Sequence, residues 1–267
     1  MVQNVLTALL VVASVGVLAG VLLALASHFF KVEEDETVTR VREALPGSNC
    51  GACGFAGCDS YAEAVAKGKA EANLCVPGAA AVAANLSEIM GVDCVAGERK
   101  IAFVACNGDC TATTVKALYD GIEGCSASGM LFGGPSLCVY GCIGCGDCAA
   151  VCPADAICVH DFLAHVNPKM CVGCGLCVKT CPKHIISLIP ESASTVVMCS
   201  NEEKGAVARK NCKNSCLGCK KCQLNCPEKA ITVTNNVASV DQSKCTGCGK
   251  CAELCPGKSI KTINFIY

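Results

Sequence analysis

Residues 142–182 hold two runs, Cys142-Ile-Gly-Cys145-Gly-Asp-Cys148-Ala-Ala-Val-Cys152-Pro153 and Cys171-Val-Gly-Cys174-Gly-Leu-Cys177-Val-Lys-Thr-Cys181-Pro182. Both have the form C-x2-C-x2-C-x3-C-P, a spacing that ligates [4Fe-4S] clusters. Three thiolates separated by two residues on a tight loop can reach three corners of one cubane. The fourth corner needs a ligand from further away.

Composition leads to the same chemistry. The chain has 267 residues with 28 Cys, no Trp, four Tyr and seven Phe. Aromatic packing cannot hold its ordered parts, and small domains poor in core are held by disulfides or metals. Disulfides would fit a secreted protein, and zinc closes with four ligands in two separated pairs. Each run here crowds three cysteines and a Cys-Pro into one loop, which suits a cubane. Iron ligation needs reduced thiolates, which puts these runs on the cytoplasmic side of any membrane.

The runs resemble those of bacterial two-cluster ferredoxins, where the Cys-Pro cysteine of each run ligates the other cluster. The resemblance assigns Cys142, Cys145, Cys148 and Cys181 to one cluster, and Cys171, Cys174, Cys177 and Cys152 to its partner. The pattern then recurs as Cys216, Cys219, Cys222, Cys226-Pro227 and Cys245, Cys248, Cys251, Cys255-Pro256. By the same exchange Cys216, Cys219, Cys222 and Cys255 form a third set, and Cys245, Cys248, Cys251 and Cys226 a fourth. The repeat extends beyond cysteines: 156–159 matches 230–233, each read as a short strand, and 164–167 matches 238–241, each its hairpin partner.

Eight cysteines lie outside the motif sets: Cys94, Cys106, Cys110, Cys125, Cys138, Cys158, Cys199 and Cys212. The repeat pairs Cys138 with Cys212, and Val104-Ala-Cys106 with Val197-Met-Cys199. A further cluster on Cys106, Cys138, Cys199 and Cys212 is the simplest use of that pairing. The alternative is buried thiols, the reading given to Cys158 on its strand.

Upstream, residues 5–30 are an almost uninterrupted run of Leu, Val, Ala and Gly without a formal charge, enough to span a bilayer. A cleaved signal peptide is the weaker reading, because the first four residues carry no basic side chain. With clusters in the cytoplasm, the amino terminus lies outside. Gly16, Gly20 and Ala24 make a small-residue stripe that permits close helix approach in lipid. Residues 32–45 read as an amphipathic helix with Val38, Val41 and Leu45 on one side and Glu33, Glu34 and Asp35 in its first turn. Pro46-Gly47 ends it. Next, Cys50, Cys53, Cys58 and Cys75 follow C-x2-C-x4-C-x16-C around a helix at 59–67. This is a one-cluster module with a glycine-rich loop, although four cysteines in so short a span could also hold zinc.

Leu45-Pro-Gly-Ser-Asn-Cys50-Gly-Ala-Cys53-Gly54, Gly57-Cys58 and Tyr61-Ala-Glu-Ala64, between an apolar helix and a ferredoxin pair, resemble the B subunit of the Rnf complex. The resemblance covers essentially the whole chain. It implies a membrane-bound, ion-translocating oxidoreductase that couples electron flow between reduced ferredoxin and NAD+ to Na+ or H+ transport. The implied partners are the other membrane subunits and soluble ferredoxin. This chain departs from the shortest members of that family in carrying a second ferredoxin unit.

The expected architecture is α+β. It comprises a transmembrane helix (1–31), a helical one-cluster module (32–92), a small α/β connecting element (93–137) and two two-cluster ferredoxin-like units (138–196 and 197–267). In the connecting element 101–105 reads as a buried strand, 113–119 as a helix, and 124–125 and 129–135 as loop. No Rossmann fingerprint, P-loop or flavin motif occurs, so NAD+ chemistry falls to a different component of the complex. His160, His165 and His184 read as packing or surface residues, no Ser-His-Asp arrangement is supported, and no nucleic-acid partner is expected.

The function that follows is a one-electron relay through five or six [4Fe-4S] clusters with no substrate chemistry of its own. The rivals are a reductase component with its own substrate site and a zinc scaffold. Net charge is −1, yet from Lys204 onward Lys and Arg outnumber acids heavily. That excess either balances cluster charge or forms a docking face for an acidic electron carrier.

Overall fold

A computed structural model describes residues 2–29, 35–92 and 98–263. Helix α1, Val2–Phe29, runs 28 residues, about 42 Å at roughly 1.5 Å per residue. Val15, Val17, Leu18, Val21, Leu22 and Leu23 are all exposed along it. A side chain added at Gly16 or Gly20 would meet nothing within 4 Å, so the small-residue stripe has no neighbour among the described residues. The side chains described within α1 do not by themselves make a segment long and apolar enough to cross a membrane.

The next helix, α2, spans Glu36–Ala44. Asp35 is its N-cap, accepting from the Thr37 N–H at 2.9 Å and satisfying one of the donors a helix start leaves open. Glu33 and Glu34 lie outside the described residues. Helices α3, Cys58–Ala66, and α4, Ala79–Met90, pack with α2 into a small core of Val41, Leu45, Tyr61, Val65, Val82 and Leu86. The α4 helix was not anticipated. Its run Ala79-Ala-Ala-Val-Ala-Ala-Asn-Leu favours helix and places Val82, Ala83 and Leu86 on one buried face.

The remainder contains two similar units. The first has β1 (Lys100–Val104), α5 (Cys125–Met130), α6 (Asp147–Ala150), β2 (Ile157–His160), β3 (Leu163–Val166), α7 (Leu176–Thr180) and β4 (Ile186–Pro190). The second has β5 (Thr195–Val197), α8 (Gly205–Asn211), α9 (Lys221–Leu224), β6 (Ile231–Thr234), β7 (Val237–Val240), α10 (Lys250–Glu253) and β8 (Ile260–Thr262). Strands β2 and β3 form an antiparallel hairpin, as do β6 and β7. Each unit closes by pairing its first strand with its last, β1 with β4 and β5 with β8. The strand at 100–104 therefore packs as part of the first unit. Arg99 reinforces that closure, bonding Glu191 at 2.6 Å and the carbonyls of Pro168 and Cys171 at 3.1 Å.

The repeat reaches the level of single contacts. A Cβ on Gly144 (φ +85) would lie 2.7 Å from Phe162 Cα, and one on Gly218 (φ +62) 2.9 Å from Asn236 Cα. These matching glycines let each cysteine loop press against its hairpin turn.

Three local expectations are corrected. Residues 113–119 form no helix: the β-branched Thr113-Thr114-Val115 runs extended, with Val115 bridged to Ser136, Thr113 to Cys212, and the Lys116 N–H bonded to the Pro135 carbonyl at 2.7 Å. Residues 125–130, expected as loop at both ends, form the short helix α5. Cys158 is exposed, not buried, because alternation along β2 turns Ile157 inward and Cys158 outward. Cys94 lies outside the described residues.

Candidate iron-sulfur centres

In the amino-terminal module, Asn49 and Tyr61 shape the cysteine loop. Asn49 Oδ1 accepts from the Cys58 N–H at 2.8 Å, capping α3. The Tyr61 hydroxyl donates to the Glu71 carbonyl at 2.8 Å and accepts from the Leu74 N–H at 3.2 Å, fixing the return segment that carries Cys75. Cys50, Cys53, Cys58 and Cys75 then line one cavity.

The ferredoxin-like sets gather as their spacing predicts, with one difference. Cys216, Cys219, Cys222 and Cys255 line one cavity, and Cys226, Cys245, Cys248 and Cys251 another. In the Cys171 set, burial first and then Cys171, Cys174 and Cys152 push the Cys177 thiol up to about 11, so Cys152 does reach across to that run. The difference is at Cys142, Cys148 and Cys181, whose cavity is also lined by Cys125 and not by Cys145.

Cys106, Cys138, Cys199 and Cys212 come together as well. They line a cavity comparable in size to those of the Cys142, Cys245, Cys216 and Cys50 sets. The non-motif site is thus no smaller than the motif ones. Its sulfurs accept in a pattern that follows the repeat. Cys106 Sγ takes the Cys142 N–H at 3.4 Å, and Cys199 Sγ takes the Cys216 N–H at 3.2 Å. Asn201, 1% exposed, donates its amide to Cys138 Sγ at 3.5 Å. The two units are sewn together around it by Ser200 to the Ala105 carbonyl (2.8 Å), Thr113 to the Asn211 carbonyl (2.9 Å) and Asn214 to the Asn107 carbonyl (2.9 Å).

Sequence reasoning did not assign Cys125 to any set. The signal available was Gly124-Cys125, which reads only as a turn and fixes no partner. Cys110 stands apart, exposed and donating to Asp161 at 3.7 Å.

Neighbouring sets adjoin in a definite order. Burial, with Cys50 among the nearby charges, pushes Cys174 up, linking the module to the Cys171 set. Burial raises Cys148 to about 12 with Cys177 among its neighbours, linking that set to the Cys142 set. Cys106 touches the Cys142 side of the central cavity and Cys199 the Cys216 side. Cys216, Cys222 and Cys251 then share the second unit's core, which joins the last two sets.

These sites fit [4Fe-4S] clusters. Four thiols surround a cavity in each of the Cys50, Cys216, Cys245 and central sets, as a multi-iron cluster requires. Backbone amides point at sulfurs, including Ala102 and Gly173 to Cys171 (3.4 and 3.5 Å), Ala156 to Cys152 (3.3 Å) and the repeat equivalent Ala230 to Cys226 (3.4 Å). Such donors stabilise negative charge on a cluster.

Burial pushes Cys106 up to about 12, and Cys199 and Cys222 to about 11. Protons hold these sulfurs at neutral pH until iron displaces them, so ligation releases protons and weakens on acidification. Lowering the pH from about 8 to about 5.5 is expected to strip iron progressively, measured as iron retained after desalting. The iron-free chain has the opposite sign. A folded-state thiol pKa raised from 9.0 to about 12 at Cys106 contributes stability below pH 9 that is lost as pH rises towards 12.

Cysteine sets in series, each suited to a cubane, define a multi-cluster iron-sulfur electron-transfer protein. Comparison with known families agrees: a family model for an Fe-S cluster matches residues 45–77, and models of the 4Fe-4S dicluster domain match 141–185, 215–259 and 170–231. The chain is 44% identical over 243 residues to the B subunit of the proton-translocating ferredoxin:NAD(+) oxidoreductase complex of Clostridium ljungdahlii, covering 90% of this chain and 86% of that one. It is 43% identical over 230 residues to the Na(+)-translocating counterpart of Acetobacterium woodii (86% and 69%), and 36% identical to the B subunit of the ion-translocating oxidoreductase complex of Methanosarcina acetivorans (88% and 89%). The chain belongs to the family of B subunits of these complexes and is an iron-sulfur electron-transfer component of an oxidoreductase.

Proposed function

We propose that the chain carries single electrons from reduced ferredoxin, received at its carboxy-terminal unit, to the Cys50 module beside α1, and there hands them to membrane components of the complex, ultimately for NAD+. The observation that carries this is the unbroken order of cysteine sets: Cys245, Cys216, Cys106, Cys142, Cys171, Cys50. A [4Fe-4S] cluster held in each set supplies a one-electron couple. The protein's own part is to space the sets, exclude water and set the hydrogen bonding at sulfur. The core of each unit packs directly on the thiols, and amides at Cys106, Cys171 and Cys199 differ in number and partner, which gives each position its own electrostatic surroundings.

Two features support the direction. All eleven Lys and Arg from Lys204 onward are exposed, and Lys220 and Lys221 sit beside the cavity of the Cys216 set, where an acidic carrier would be steered. At the other end, α1 presents an exposed Leu and Val surface and is read as a single membrane span with the cysteine sets on the cytoplasmic side. The family relatives named for Na+ and for proton translocation leave both as coupling ions for this chain's complex.

Charge reversal tests the entry point. K220E/K221E is expected to slow reduction by ferredoxin roughly tenfold at low ionic strength and to converge with the wild type at high salt, followed by stopped-flow bleaching of the iron-sulfur absorption. An unchanged rate sinks the docking site. A wild-type chain that ferredoxin cannot reduce at all sinks the relay.

A further inference from the structure

Three buried hydroxyls have no hydrogen-bond partner among the described residues: Ser48 Oγ, Thr195 Oγ1 and Ser215 Oγ. Each belongs to a residue bordering a different cysteine cavity, Ser48 that of the Cys50 set, Thr195 that of the Cys245 set and Ser215 the central one. Thr195 and Ser215 are each 1% exposed, closed off from bulk water. A hydroxyl buried without a partner is costly, and folded proteins keep few of them.

The internal repeat isolates what Thr195 and Ser215 add. With Val104-Ala-Cys106 matched to Val197-Met-Cys199, Ala102 stands where the second unit has Thr195. With Cys138 matched to Cys212, Gly141 stands where it has Ser215. The backbones correspond at both places. Ala102 and Thr195 are buried on β1 and β5, and the Gly141 and Ser215 N–H groups donate to the Cys138 and Cys212 carbonyls at 3.4 and 3.2 Å. A Cβ on Gly141 would lie 3.6 Å from both Cys106 Sγ and Cys138 Sγ. A side chain at this position of the repeat therefore begins beside the sulfurs, and the second unit puts a hydroxyl on it.

We infer that the hydroxyls of Ser48, Thr195 and Ser215 donate hydrogen bonds to sulfur of the clusters their cavities hold, making those clusters easier to reduce than the same cysteines alone would. This rests on the cluster reading above and concerns what sets the potential at each position. A donor at sulfur favours the reduced, more negative state of a cluster, and the protein offers these three protons no other acceptor among the described residues.

Potentiometric EPR of the anaerobically purified full-length chain, with iron measured on the same samples, tests the assignment. S48A, T195V and S215A are each expected to keep full iron and to lower one cluster's reduction constant roughly tenfold, about 59 mV for a one-electron couple. T195S, which keeps the hydroxyl, is expected to match the wild type. Pulsed EPR after exchange into D2O is expected to show a deuteron coupled to the affected cluster in the wild type and absent from the variant. Full iron with an unchanged potential overturns the role of the hydroxyl concerned. Loss of about four irons overturns it as well, because that hydroxyl would then be part of what holds the cluster. A wild type with about twenty irons fails differently: the central cluster and the role of Ser215 fall together, while T195V, on a motif set, still decides Thr195.

Discussion

Full-length protein assembled without oxygen is expected to bind about twenty-four irons per chain, and C106A/C212A about twenty. The difference is one cubane in the central cavity, which Cys106 and Cys138 border from the first unit and Cys199 and Cys212 from the second. A count of about twenty in the wild type would leave that cavity without iron and the four sulfurs as buried thiols. The same double variant separates structure from conduction. Ferredoxin should still reduce the Cys216 and Cys245 sets while the Cys50 module stays oxidised, because the central set is the contact between the units. C158A is the control. Its thiol is exposed on β2, 3.9 Å from the His165 carbonyl, and its removal should change neither the count nor the path.

Removing residues 1–31 is expected to move the chain from the membrane fraction to the soluble one completely. The Leu, Val and Phe side chains of this stretch number sixteen. At about −0.3 to −0.6 kcal/mol each they favour insertion by roughly 5 to 10 kcal/mol. No Asp, Glu, Lys or Arg opposes that within residues 1–30. The measurement is fractionation after expression without the rest of the complex, with an alkaline carbonate wash. Release of the full-length chain by that wash would mean that α1 lies on the surface or against protein and does not span.

Much of the site was legible because the motif cysteines are spaced by the geometry they serve. Three thiols on one short loop and a Cys-Pro beyond it leave few arrangements, and the internal repeat brought Cys106, Cys138, Cys199 and Cys212 into one set before any coordinates. What escaped was non-local. Cys125 reaches the cavity of the Cys142 set because its N–H is held by Asp147, 22 residues further along the chain, a contact with no periodic signature. The extended course of 113–119 depends on bridges to Ser136 and Cys212, which override a stretch with helical spacing. Strand β1 looked like part of a separate element because its partner β4 lies at the far end of the unit. Cys158 was misplaced by a general tendency of thiols to be buried, when alternation from Ile157 already pointed it outward.

The central cavity also sets a schedule for biosynthesis. Cys106 and Cys138 leave the ribosome with the first unit, but Cys199 and Cys212 follow only after that unit's own runs have been made. At about 5–20 residues per second, the interval from Cys138 to Cys212 lasts roughly 4 to 15 s. For that time the nascent chain presents a half-built site, two thiols with no partners yet synthesised, while the runs beside it can already be filled. Translation therefore makes the bridge between the halves the set with the longest wait between its first and last sulfur, although the two carboxy-terminal sets close after it.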